Sequence, residues 1–351
     1  MQIGYGTTAD TAYGKRRTSP YACLFANLAC RATYNPLDMR ILLVKTSSLG
    51  DVIHNLPVVT DLRKNFPQAL IDWVVEESFA DIPRLHPGVH AVVPVAWRRW
   101  RKSLLARQTW REMRAFLDEL RQEQYDLVID TQGLLKSALI ARLAYGRHCG
   151  YAPDSAREPL AARCYDATFS VARNLHAVAR NRQLVAQATG YALHNEPDYG
   201  LAVSPAPTFS KTVMLLTATS RADKLWPEDH WIALGRELHA QGLRCLLPAG
   251  ITPAEQARAA RLAQAIPDAR ALPPQGLREL AAVMANARLV IGVDTGLAHL
   301  AAALQQPVVA LFFASDPALT GVMAAHHAVN LGARGAPPQV ADVLAAVQTV
   351  L

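Results

Sequence analysis

MRILLVKTSSLGDVIHNLP, residues 39–57, passes from an apolar strand, RILLVK, through a short loop into a helix. A buried strand followed at once by a helix start is the opening unit of a parallel α/β sheet. The loop between them, Thr46-Ser47-Ser48-Leu49-Gly50-Asp51, holds one glycine and a carboxylate. A phosphate cradle at this place needs several glycines and no negative charge. Asp51 thus argues against nucleotide binding here. On the residues alone it is either a helix cap or a catalytic carboxylate.

Outward from this stretch, strand and helix alternate. A helix is expected over Val52–Phe66, with Pro57 in an early turn. LIDWVV (70–75) and YDLVID (125–130) read as strands, with a helix over Leu134–Tyr145 and another in the second half of Asp166–Gly190. Ser204–Lys211, SPAPTFSK, reads as a linker. Alternation then restarts with a strand at TVMLL (212–216). Pro227 opens a helix that Gly242 ends. RCLLPAG is a strand and loop, LRELAAVMANA (277–287) a helix, RLVIGV (288–293) and PVVALFF (307–313) strands, and Val340–Leu351 a closing helix. The expected organisation is an extension over 1–38, one Rossmann-like domain over 39–205 and a second over 206–351. The loops 46–51, 217–226, 248–255 and 293–299 follow strands, where ligands of such sheets bind, and are expected to face one cleft.

The chain has 351 residues, enough for two domains. Charged residues make up 19% and hydrophobic ones 51%, which excludes wholesale disorder. A net charge of +7 points to an anionic partner: nucleic acid, a membrane surface or an acidic ligand. The five cysteines are scattered and odd in number, which fits a reducing compartment better than a disulfide framework. No uninterrupted apolar run is long enough to span a bilayer. Residues 1–38 carry only a faint signal-peptide pattern and read as an upstream extension or an early start site.

Several constellations could carry chemistry. TATSRADKLWP (217–227) brings Thr219, Ser220, Arg221 and Lys224 to a helix start, a reasonable diphosphate site or an ordinary capped loop. VDTGLAHLAAAL (293–304) delivers Asp294, Thr295, Gly296 and Leu297 from a strand into a helix whose first turn carries His299. Glu255 could hold ribose hydroxyls, although a lone Glu at a helix start is more often a dipole partner. AWRRWRKSLLARQTWREMR (96–114) has seven Arg and Lys against one Glu, with three tryptophans interleaved. It suits nucleic acid, anionic lipid or an acidic sugar, or is a solvated face. Lys136 and Arg157 add cations in the same half. There is no G-x-G-x-x-G, no Walker loop and no metal-ligand pattern, which counts against a dehydrogenase and a P-loop enzyme.

MRILLVKTSSLGDVIHNLPVVTDL, DWVVEESFADIP, VPVAWRRWRK, DTQGLLKSALIARL, SAREPLAAR, DKLWPEDHW and VDTGLAHLAAAL together resemble the ADP-heptose:lipopolysaccharide heptosyltransferases of glycosyltransferase family 9. The resemblance runs from Met39 to about Leu331. K-T-S-S-x-G-D and R-R-W-R-K are similar to the enzymes that add the first heptose rather than the second. It implies a GT-B fold, two Rossmann-like domains facing a central cleft, and an inverting transfer. The implied donor is ADP-L-glycero-β-D-manno-heptose, held by the second half. The implied acceptor is Kdo₂-lipid A, held by the first half at the cytoplasmic face of the inner membrane. No nucleic acid, metal or other cofactor is implied. Thr219, Ser220, Lys224, Glu255, Asp294, Thr295, Gly296, Leu297 and His299 fall on donor positions. Gln275 stands where an adenine-side methionine is expected, and Ser220 where a threonine is. Arg98, Arg99, Arg101, Lys102 and Arg157 fall on acceptor positions, and Lys136 is added to them.

With this resemblance Asp51 becomes a general base that deprotonates the acceptor hydroxyl from the face opposite the leaving group. Lys224 and the helix N–H groups stabilise the departing ADP. The nearest rival is another ADP-heptose transferase acting on a later heptose of the core. A nucleic-acid-binding protein on the same scaffold would leave Asp51, Lys224 and Asp294 without roles.

Overall fold

The computed structural model describes residues 39–194, 196–204, 211–219, 221–324 and 327–351. The extension over 1–38, the body of the linker (205–210) and Ser220 lie outside the described residues.

Strand β1, Arg40–Val44, is buried along all but its first residue because a helix or loop layer covers both faces of a parallel sheet. It pairs in parallel with β2 (Leu70–Glu76) and with β4 (Gln124–Asp130). β3 (Ala91–Val95), β5 (Tyr145–Tyr151) and β6 (Ala167–Phe169) complete a sheet of order β3-β2-β1-β4-β5-β6. The second sheet contains β7 (Thr212–Leu216), β8 (Arg244–Pro248), β9 (Arg270–Leu272), β10 (Leu289–Val293), β11 (Val308–Leu311) and β12 (Ala328–Leu331). Its order is β12-β11-β10-β7-β8-β9. Every pairing in both sheets is parallel. Two Rossmann-like sheets therefore repeat one topology, each with a switch point where the strand order reverses, at β1/β4 and at β7/β10. Both sheets lie within one compact unit.

Two expectations need correction. The single helix over 52–66 is two helices, Leu49–Ile53 and Leu56–Asn65. Pro57 lacks an N–H and its ring would collide with the carbonyl four residues back, so the first helix stops at Ile53 and a second starts beyond Asn55. β3, β5, β6, β9 and β12 are strands the sequence reading passed over. Pro94 within β3 is tolerated because β3 is an edge strand.

The second half is built on Trp226, Trp231, Leu215, Ile291 and Val347, all fully buried. Trp226 donates to Pro338 O at 3.0 Å, tying the loop after β7 to the lead-in of the closing helix, Val340–Val350. In the first half Trp73 is fully buried and donates to Lys45 O at 3.1 Å. No helix among the described residues is long and apolar enough to cross a membrane.

Candidate active site

A lysine follows β1 directly. Lys45 is 4% exposed, and its ammonium donates to Thr131 O at 2.7 Å and Asn181 Oδ1 at 3.2 Å. Burial pushes its pKa down to about 8, against the pull of Asp51. The loop that follows is clamped. Thr46 N and Oγ1 both donate to Gln132 Oε1 at 2.8 Å, and Lys136 Nζ donates to Ser47 Oγ at 3.2 Å. Gln132 and Gly133 are held in turn by the buried Asp130 carboxylate, which accepts both their N–H groups together with the Ser137 and Tyr165 hydroxyls.

Asp51 is the third residue of the Leu49–Ile53 helix. Its Oδ2 accepts from Ser48 N at 2.9 Å, and its Oδ1 takes Arg157 Nη2 at 2.7 Å. The side chain is 15% exposed. Burial alone would raise its pKa. The charges of Lys45 and Arg157, with the Ser48 N–H, outweigh burial and hold the carboxyl well below the usual carboxylate range. Asp51 is thus both a cap and a largely shielded ionised group held by the charges of two cations.

Across from it lies the second switch point. Asp294 closes β10 and accepts from Lys224 Nζ at 2.5 Å and from the Ser315 hydroxyl. Thr219 Oγ1 reaches Asp294 O at 3.4 Å. Thr295 stands at the N-cap position of the helix Gly296–Ala303 without a side-chain capping bond, with Leu297 half-buried in the first turn. This helix packs on the Leu49–Ile53 helix of the other half. A Cβ on Gly296 would come within 2.6 Å of Leu49 Cγ, and one on Gly50 within 3.2 Å of His299. Glycine at both places lets the two loops touch. His299 points into this contact, where its Nδ1 lies 3.1 Å from His54 Nε2. His176 stands edge-on to His54, with ring centroids 5.4 Å apart, and bonds Gly321 O at 3.0 Å. Burial lowers the pKa of His54 and His299, the latter to about 4.

The other sequence candidates are placed less centrally. Glu255 caps the helix Pro253–Ala265, its Oε2 accepting from Ile251 N, Thr252 N and Thr252 Oγ1, which is the dipole-partner arrangement. Gln275 is exposed between β9 and the helix Leu277–Met284. Arg98, Arg101 and Lys102 are exposed, with the Arg98 guanidinium 4.9 Å over the Phe79 ring. Arg99 is committed elsewhere: it holds Glu77 through two nitrogens and Glu112 through a third. Lys45, His54, His176, Asn181 and Ser315 escaped the sequence reading. Only Lys45 carried a signal, a cation at the end of an otherwise apolar strand.

Residues 113–345 match the family model described as glycosyltransferase family 9 (heptosyltransferase). The chain belongs to glycosyltransferase family 9. It is 45% identical to lipopolysaccharide heptosyltransferase 1 of Escherichia coli (strain K12) over 81% of this chain and 90% of that one. It is also similar to the solved structure of E. coli heptosyltransferase WaaC with ADP, with a TM-score of 0.85 and 40% identity over 89% of this chain and 100% of that chain. The structure of WaaC with ADP-2-deoxy-2-fluoro heptose gives a TM-score of 0.81 at 39% identity, covering 88% and 99% of the two chains. The chain is thus a glycosyltransferase, and its two facing sheets are the GT-B arrangement.

Proposed function

We propose that this protein transfers L-glycero-D-manno-heptose from ADP-heptose to Kdo of Kdo₂-lipid A, with inversion, in assembly of the lipopolysaccharide inner core. A relative solved with a fluorinated ADP-heptose supports the donor. The observation that carries the mechanism is Asp51: a largely shielded, ionised carboxylate at the first switch point, on a helix packed against the helix start that follows the lysine–aspartate pair of the second.

In this reading residues 39–205 bind the acceptor and 206–351 the donor. Thr219, Lys224, Asp294, Thr295, Gly296, Leu297 and His299 surround the donor phosphates and sugar, with Glu255 and Gln275 toward the nucleoside. Ser220 belongs with them by sequence. Lys224 exchanges its bond to Asp294 for the diphosphate and stabilises the negative charge that develops as the glycosidic bond breaks. Arg98, Arg101, Lys102, Lys136 and Arg157 meet the acceptor's carboxylates and phosphates. Arg99, already held by two glutamates, orders that surface instead.

Asp51 takes the proton of the attacking hydroxyl. A carboxyl held so far below its usual range is a weak base, and Arg157 is the removable part of the cause. An acceptor carboxylate that draws Arg157 to itself raises the basicity of Asp51 just as the nucleophile arrives. The enzyme then works as a peripheral protein on the cytoplasmic face of the inner membrane.

The test is ADP release from ADP-heptose with and without Kdo₂-lipid A, for the wild type and Asp51→Asn. Release that requires the acceptor and falls at least about a hundredfold in the variant is the expected result. Near-normal turnover of Asp51→Asn refutes the base. Absence of release with Kdo₂-lipid A, but release with a heptose-bearing core acceptor, reassigns the substrate.

A further inference from the structure

We propose that the projection between the helices Trp97–Trp100 and Arg107–Leu120 is a lipid-docking surface that seats the protein on an anionic bilayer. Residues 101–108 are exposed without a break. At the tip Leu105 is 100% exposed and Leu104 51%, and Trp110 beside them is 61% exposed. Aliphatic side chains standing free in water at the end of a protrusion are costly unless something covers them.

The protrusion has a fixed shape. Trp110 Nε1 donates to Leu104 O at 2.8 Å, Thr109 Oγ1 donates to Ser103 O at 2.8 Å, and Ala106 N donates to Ser103 O at 3.0 Å. Its base is anchored by Trp100, which is 5% exposed, packs edge-on against Phe116 and donates to Glu112 Oε2 at 2.8 Å. The leucines are therefore presented, not loosely displayed.

The collar around the tip is cationic. Arg98, Arg101, Lys102, Arg107 and Arg111 are exposed, whereas Arg99 occupies Glu77 and Glu112, and the buried Glu76 accepts from the Arg98 N–H at 2.9 Å behind them. An apolar tip, an indole at its margin and a ring of arginines match the layering of an anionic membrane, acyl chains within and phosphates above. A nucleic acid would use the charge and the indole, but has no place for two leucines.

The surface also points the right way. Arg98 and Arg101 act electrostatically on Lys136, and Lys136 touches Ser47 in the loop of Asp51. Cations thus run from the tip to the base. With the tip in the bilayer, an acidic head group held in the same membrane lies along this track. This last step rests on the lipid-linked acceptor proposed above, whereas the docking surface itself does not.

The experiment is co-sedimentation with vesicles of phosphatidylglycerol and phosphatidylethanolamine, and with phosphatidylcholine alone, neither containing any sugar acceptor. The wild type is expected to sediment with the first and not the second. Leu104→Ser/Leu105→Ser is expected to bind at least roughly tenfold more weakly, and Arg107→Glu/Arg111→Glu to lose the preference for anionic lipid. Turnover of the leucine variant on a delipidated, soluble acceptor stays at the wild-type level, which also shows that it is folded. Equal sedimentation of wild type and leucine variant, no binding of the wild type to anionic vesicles, or equal binding to neutral ones overturns the proposal. The sedimentation readouts are independent of whether the heptosyl transfer reading holds.

Discussion

Acidifying the buried histidine pair is expected to loosen the molecule by a calculable amount. His54 and His299 come from helices of different halves and share one hydrogen bond; Asp51, His176 and Lys45 face the first, and Asp294, His176, Asp51 and Lys224 the second. Burial is the largest influence on each and keeps both neutral. A free imidazole titrates near 6.5, and burial pushes His299 down to about 4. The unfolded chain therefore binds more protons than the folded one between these values. The stabilisation is fully present above 6.5 and drains away as pH falls toward about 4. At pH 5 this comes to about 2 kcal/mol for His299 alone, with a further contribution of the same sign from His54. The assay is urea unfolding at pH 7.5 and pH 5.0 for the wild type and for His299→Gln, which keeps a hydrogen-bonding side chain but does not titrate. Removing His299 also removes a charge that depresses His54, so the variant should lose at least about 2 kcal/mol less than the wild type across that interval. Equal losses would mean that the pair does not stay neutral in the folded protein, and would refute the reasoning.

Arg157→Gln should raise acceptor-independent ADP release several-fold, because it unmasks Asp51, and lower kcat/KM for transfer by about tenfold or more; measuring hydrolysis and transfer side by side checks both. Arg182 and Asp61 form a bidentate pair at 2.7 and 3.0 Å, their side chains 7% and 10% exposed, that ties the helix Ala177–Thr189 to Leu56–Asn65. Arg182→Met or Asp61→Leu alone should cost about 3–5 kcal/mol in urea unfolding, and the double change should recover most of it. Gly296→Ala places a Cβ within 2.6 Å of Leu49 Cγ and 2.7 Å of Leu49 Cβ and should cost about 1–3 kcal/mol in the same assay; Leu49→Ala should not restore it, because alanine keeps the Cβ that collides.

What could be read from the sequence follows what each signal depends on. β1, β2, β4, β7, β10 and β11 lie inside their sheets and are covered on both faces, so they stand out as apolar runs. β6, β9 and β12 lie at sheet edges, are short and half exposed, and look like loop. β5, YGRHCGY, is inside its sheet but hides behind glycine and polar residues. Asp51 was legible because a carboxylate is out of place in such a loop. Lys224 and Asp294 were legible as types, but their pairing, and the neutralisation it brings, needs the fold. Arg99 looked like its neighbours, and only the positions of Glu77 and Glu112 separate it from them. The His54–His299 contact joins residues far apart in the chain and had no local trace.

Each sheet draws its strands from one continuous stretch of chain. The six strands of the first end at Phe169 and its covering helix at Thr189, before the second sheet begins at Thr212. During synthesis the first half can therefore close while the second is still being made. Until the helix Gly296–Ala303 emerges, Leu49, Gly50 and His54 lack the neighbours that bury them. The nascent chain thus carries this face uncovered for the time needed to make about a hundred residues. A chaperone that shields that face would act on this protein before the enzyme exists.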